Sequence, residues 1–193
     1  MGQSNNMHKA LRNPLHPPFP DGYQIVQFGM GCFWGAEKAF WQHPNIYSTQ
    51  VGYSGGSSPN PSYRLVCSGT SGHVEVVRVV YDPTRTRFAE LLKIFWENHD
   101  PTQGNKQGND EGTQYRSVIF VTSEEQLRQA ELSKQLFQEA LTQKGFPRRI
   151  TTEIALAPEF YYAEDYHQQY LHDNPDGYCG HGHTGAKLDL SRF

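Results

Sequence analysis

The chain has only three cysteines in 193 residues, and no two of them form a C-x-x-C pair. An odd number in a chain of this size excludes a disulfide framework, so any thiol chemistry must use residues brought together by folding. No apolar run approaches the ~20 residues that a membrane span needs. Neither sign of charge is banked on one element: 17 basic and 20 acidic side chains leave a net charge of −3. That balance points away from nucleic acid and anionic membranes. Met1 to Lys9 lacks the apolar core of a secretory signal, and Asn6 stands where a myristoylation motif wants Ser or Thr. The expectation is one domain over residues 1–193, monomeric and cytoplasmic, with no metal or organic cofactor.

Residues 1–22 are polar and proline-rich and are expected to form an extended arm over the domain surface. Apolar patterning then predicts a strand over 24–30, a helix over 32–42 and a strand over 46–53. Further strands are expected over 74–81, 117–122 and 150–157. Phe88, Leu91, Leu92, Phe95 and Trp96 share one helical face. Ser123 and Gln126 form a capping-box pattern that opens a helix to about Lys144. A helical turn around 164–170 precedes a Gly-rich tail over 177–193. The order strand, helix, strand, strand, helix, strand predicts an α+β fold, a two-layer sandwich on a ferredoxin-like split βαβ core. Its sheet should be mixed and mostly antiparallel.

The most informative stretch is Gly31-Cys32-Phe33-Trp34-Gly35, where a strand gives way to a helix. The helix N-terminus offers unpaired N–H groups and partial positive charge, both favouring a thiolate at Cys32. Two large rings beside it suit an apolar substrate group. A buried structural cysteine is the competing reading. On strand 74–81, Glu75 shares a face with Val77, Val79 and Tyr81. Desolvation there would keep its carboxyl protonated and able to donate. Alternatively that face meets solvent, with Val74, Val76 and Val80 inside; Arg78 argues against it.

The loop over 100–114 is longer than functionless loops in compact domains usually are, and it and its exit carry Asp110 and Tyr115. Taken alone, a solvated loop with Asp110 capping a turn and Tyr115 starting the next strand is the stronger reading. In the tail, Gly177-Tyr178-Cys179-Gly180 sets a thiol among glycines that would let it move. Cys179, His181 and His183 also allow a metal reading, but no fourth ligand stands at a defined spacing. Cys67 follows apolar neighbours and reads as structural. His73 or His99 would serve a cysteine hydrolase, yet no Asn or Asp is placed to orient either.

Together these segments resemble the A-type methionine sulfoxide reductases. The resemblance runs from about Phe28 to Gly180 through Gly31-Cys32-Phe33-Trp34-Gly35-Ala36-Glu37, Val51-Gly52-Tyr53-Ser54-Gly55-Gly56, Pro61-Ser62-Tyr63 and Gly72-His73-Val74-Glu75. It continues through His99-Asp100-Pro101-Thr102, Gln107-Gly108-Asn109-Asp110, Gly112-Thr113-Gln114-Tyr115-Arg116 and Gly177-Tyr178-Cys179-Gly180. The resemblance implies reduction of methionine (S)-sulfoxide, free or in oxidised proteins and peptides. Cys32 would be the nucleophile and Glu75 the acid. Tyr63, Tyr115 and Asp110 would form a polar wall, with Phe33 and Trp34 around the sulfoxide methyl. Cys179 would resolve the sulfenic acid and thioredoxin would reduce the disulfide. Some members carry a further tail cysteine where this chain reads Gly185-Ala186-Lys187-Leu188-Asp189, so Cys179 would resolve alone. The rival readings are a cysteine hydrolase and a redox sensor or peptide-binding module without turnover.

Overall fold

The structure, a computed structural model, describes residues 6–178 and 180–193; Cys179 lies outside the described residues. Its core order is β1 (Gln24–Gly29), α1 (Phe33–Trp41), β2 (Ile46–Ser54), a short α2 (Tyr63–Cys67), β3 (Val74–Tyr81) and α3 (Phe88–Glu97). The small pair β4 (Lys106–Gln107) and β5 (Asp110–Glu111) follows. Then come β6 (Val118–Val121), α4 (Glu124–Gln143), β7 (Glu153–Leu156), β8 (Phe160–Tyr162) and α5 (Tyr170–Asp173).

The main sheet runs β7-β6-β1-β3-β2-β8. Its inner four strands, β6-β1-β3-β2, are the expected split βαβ unit, antiparallel throughout. Among the described residues only β6 and β7 pair in parallel. Long-range pairing finds what local pattern misses. Strand β8 is three residues long and adds to the edge of β2, while β4 and β5 fold the expected loop into a two-rung hairpin.

Alternation along the strands builds the core. Val26 and Phe28 of β1 and Val77, Val79 and Tyr81 of β3 face α1, α3 and α4. Phe28 stacks on Phe40 at 4.8 Å and on Phe95 at 5.3 Å. Each such ring contributes about 2–3 kcal/mol of burial. The reverse face is also covered: Val74, Val76, Val118 and Phe120 lie beneath Ala155, Ala157 and Phe160. Both faces of β3 are therefore dry, and Glu75 lies on the helix side with Val77 and Val79.

The N-terminal arm is pinned by a buried polar cluster. His8 Nε2 lies 2.7 Å from Thr49 Oγ1, which donates to Glu37 Oε2 at 2.7 Å. Glu37 also accepts from the main-chain N–H and the side-chain amide of Gln169, at 2.7 and 2.8 Å. His8 Nδ1 accepts from Ala10 and Leu11 main-chain N–H, so Nε2 carries its proton. Burial lowers His8 to about 3, leaving it neutral. Within the tail, expected to be mobile, Ala186 and Leu188 enter the main core.

Candidate active site

Strand β1 ends in a turn that only glycine fits. Gly31 has φ +93°, and a Cβ there would strike Gln107. The turn delivers Cys32 to the N-cap of α1, only 7% exposed. The amides of Trp34 and Gly35 face its thiol and favour the thiolate. Burial outweighs them, and the Glu75 carboxyl adds to it, so the thiol is pushed well above its ordinary range. Burial thus opposes the thiolate that the helix position favours, because desolvation exceeds the field of two amides.

Glu75 lies beside this helix start. Its Oε1 accepts from the main-chain N–H of Phe33 at 3.2 Å, and its buried Oε2 has no partner among the described residues. Burial raises its carboxyl to about 8; the Phe33 N–H pulls the other way and Asp110 adds to the rise. At neutral pH it is mostly a carboxylic acid. Tyr63 opens α2 and Tyr115 closes the turn Thr113–Tyr115. Burial, with Glu75 contributing, raises both phenols and keeps them proton donors.

The aromatic wall is larger than the sequence suggested. Phe33 is buried and packs on Tyr53 and His167 at 5.7 and 5.1 Å. Trp34 is partly exposed, stacks on Tyr170 at 3.9 Å, and donates its indole N–H to His167 Nδ1 at 2.9 Å. Tyr63 lies 4.7 Å from the same imidazole. Glu164 accepts from the Tyr53 hydroxyl at 3.0 Å and from the Tyr63 main-chain N–H at 3.1 Å, tying β2 to α2. Tyr53, Glu164, His167 and Tyr170 were not singled out from sequence. The available signal was the density of aromatic and acidic residues from Phe160 to Tyr170, in the turn expected there.

Asp110 sits on β5, its carboxyl raised by burial while a hydrogen bond from Tyr178 lowers it. Thus the residue preceding Cys179 reaches the hairpin. Beyond Cys179, His181 Nε2 lies 2.9 Å from the main-chain oxygen of Cys32. His183 Nδ1 lies 3.2 Å from the Glu97 carbonyl. Among the described residues no three His, Cys, Asp or Glu side chains are grouped to hold a metal.

Cys67, read from sequence as structural, closes α2. It is exposed, one helical turn after Tyr63, and hydrogen-bonds that phenol. The two histidines are structural. His73 accepts from Gly56 N–H at 3.0 Å and faces Ser58 carbonyl at 2.6 Å. His99 lies between Phe95 carbonyl and Ser117 hydroxyl, and burial lowers it to about 3.

A thiol at a helix start, a buried carboxyl bonded to that start and two half-buried phenols are thus gathered in one place. Residues 24–191 match the family described as peptide methionine sulfoxide reductase. The chain belongs to that family. It is 60% identical over 185 residues to peptide methionine sulfoxide reductase MsrA of Rhodospirillum centenum, covering 96% of this chain and 84% of the relative. The methionine sulfoxide reductase A structure from Corynebacterium diphtheriae is 47% identical, with a TM-score of 0.78 over 88% of this chain and 84% of that one. Mxr1 of Saccharomyces cerevisiae in reduced form also gives a TM-score of 0.78, at 36% identity over 90% of this chain and 98% of Mxr1. Its complex with Trx2 gives 0.58 at 24% identity, over 90% and 98% of the two chains. This reductase has no helix, among its described residues, long and apolar enough to cross a membrane.

Proposed function

We propose that Cys32 attacks the sulfur of a methionine (S)-sulfoxide, free or within an oxidised protein, while Glu75 protonates the oxygen. The observation that carries this reading is the bond from Phe33 N–H to Glu75 Oε1, which couples the neutral acid to the helix start bearing the thiol. A sulfoxide sulfur is a poor electrophile until its oxygen gains a proton or strong hydrogen bonds. Glu75 gives its proton to the oxygen and becomes the acceptor for the Cys32 proton, so acid and nucleophile are activated together. Methionine leaves and Cys32 holds the oxygen as sulfenic acid. Tyr63 and Tyr115 donate to the developing oxyanion, and Asp110 helps to orient the substrate. Trp34 and the buried Phe33 form the slot for the methyl group.

Cys179 then condenses with the sulfenic acid, releasing water and forming a disulfide. A thioredoxin-type dithiol reduces it by exchange. The Mxr1 complex with Trx2 supports that partner. A cytoplasmic monomer is part of the reading, since such dithiols are kept reduced there. The decisive assay supplies a peptide containing racemic methionine sulfoxide, with dithiothreitol as reductant. Wild type should produce methionine and leave one epimer untouched, while Cys32→Ser produces none. Methionine formation by Cys32→Ser would remove the nucleophile from this scheme.

A further inference from the structure

The two flanks of Cys179 are fastened at separate points. Upstream, Tyr178 is hydrogen-bonded to Asp110. Downstream, His181 Nε2 lies 2.9 Å from the Cys32 carbonyl, and Gly182 N–H donates to Gln107 Oε1 at 2.9 Å. Gln107 is itself fixed: its amide donates to the Asp100 carbonyl at 2.7 Å and accepts the Asp100 N–H at 3.0 Å. Two glycines make room for this dock. A Cβ at Gly108 would overlap the Gly180 carbonyl oxygen, and one at Gly31 would come within 3.2 Å of His181 Cδ2. A carbonyl only accepts, so His181 carries its proton on Nε2. Burial lowers its pKa and keeps it neutral.

We infer that His181 is a positioning residue, a latch that docks the segment bearing Cys179 against the N-cap of the Cys32 helix. This rests on the reading of Cys179 as the resolving thiol. In the step it serves, Cys32–SOH and Cys179–SH become a disulfide and water. The S–S bond forms, the S–O bond breaks, and the thiol proton leaves in the water. A glycine-rich segment samples many conformations, and holding it at one point raises the effective concentration of its thiol. The latch grips the carbonyl of the nucleophile's own residue, so the position of the tail is referred to the atom it must meet.

The test is a single turnover with a methionine sulfoxide peptide and no reductant, following methionine release and disulfide formation separately. His181→Leu removes the donor, whereas His181→Gln keeps an N–H at similar reach. The ratio of disulfide formation to methionine release should fall about tenfold in His181→Leu. It should stay within about threefold of wild type in His181→Gln. Sulfenic acid trapped by dimedone should accumulate only in the leucine variant. Gly108→Ala, which pushes Gly180 away without touching His181, should lower the same ratio and carries the test if His181→Leu fails to fold. An unchanged ratio in either of these two variants, or equal loss in the glutamine variant, overturns the latch. Cys179→Ser separates the two ideas. If it turns over fully with thioredoxin, the resolving assignment itself fails; if it stalls after one methionine while His181→Leu behaves as wild type, only the latch fails.

Discussion

The main-chain N–H of Phe33 points at Glu75 Oε1, 3.2 Å away, so the residue after Cys32 is bonded to a carboxyl 42 positions further along the chain. The bond draws on an amide that the first turn of α1 leaves without a helical partner. It fixes one carboxyl oxygen, while Oε2 has no partner among the described residues. Glu75 and Cys32, the acid and nucleophile of the proposed reaction, thus share one junction between a strand and a helix start.

Removing the acid should slow chemistry far more than binding. Glu75→Gln keeps the shape and the bond from Phe33 but cannot give up a proton. Its sulfenic-acid formation rate should drop about 100-fold or more, with the peptide dissociation constant within about threefold of wild type. In wild type the same rate should fall as pH rises above about 8, because Glu75 then ionises. Rapid-quench measurements from pH 6 to 10 check both statements, and an unchanged single-turnover rate in the variant would sink the acid assignment.

The same carboxyl costs stability at alkaline pH. Its folded pKa of about 8 lies above its ordinary value of 4.5, so the folded state holds a proton that the unfolded state has released. Between these values stability falls with rising pH by up to about 1.4 kcal/mol per unit. Glu75→Gln lacks that loss. Its melting temperature relative to wild type should therefore rise from pH 5 to pH 8, and a gap that stays constant would refute the burial argument.

The arm should matter to stability through one histidine. His8→Ala removes the partner of Thr49 and the edge contact to Trp41, where the rings are 5.7 Å apart. The expected loss is about 2 kcal/mol. Glu37→Ala strips the acceptor from two Gln169 donors and the Thr49 hydroxyl, and should cost about 3 kcal/mol or more. Urea unfolding at fixed pH measures both; a loss under 0.5 kcal/mol for Glu37→Ala would contradict the buried network.

Cys67 lies at the site without a place in the proposed chemistry. Cys67→Ser keeps a small polar group beside the Tyr63 phenol and should retain thioredoxin-driven turnover within about twofold. A steady-state assay decides this, and a stall after one methionine would transfer the resolving role to Cys67.

Much of this site was legible because its signals are local. A Gly-Cys-aromatic run after an apolar strand places a thiol at a helix start, and period-2 alternation puts Glu75 on the face of Val77 and Val79. The same reasoning left open that Cys67 is exposed beside the Tyr63 phenol, since apolar neighbours in sequence say nothing about which side of a single helical turn faces solvent. It also missed His167 and Glu164, which are polar residues made functional only by partners more than 100 positions away.

The sequence by itself determined the α+β order, the cysteine at the head of α1 and the glutamate on β3, whereas Tyr63 entered only through the family resemblance, which also gave Asp110 and Tyr115 their weight. Helix caps, strand alternation and turn residues act over a few positions and leave their mark there. Only the tertiary structure decided the direction in which burial pushes the Cys32 thiol, because desolvation depends on everything packed around a group. Tertiary packing also decided that the tail runs across α3 and that His181 meets the Cys32 carbonyl. The last of these contacts joins residues 149 positions apart, and no local pattern encodes it.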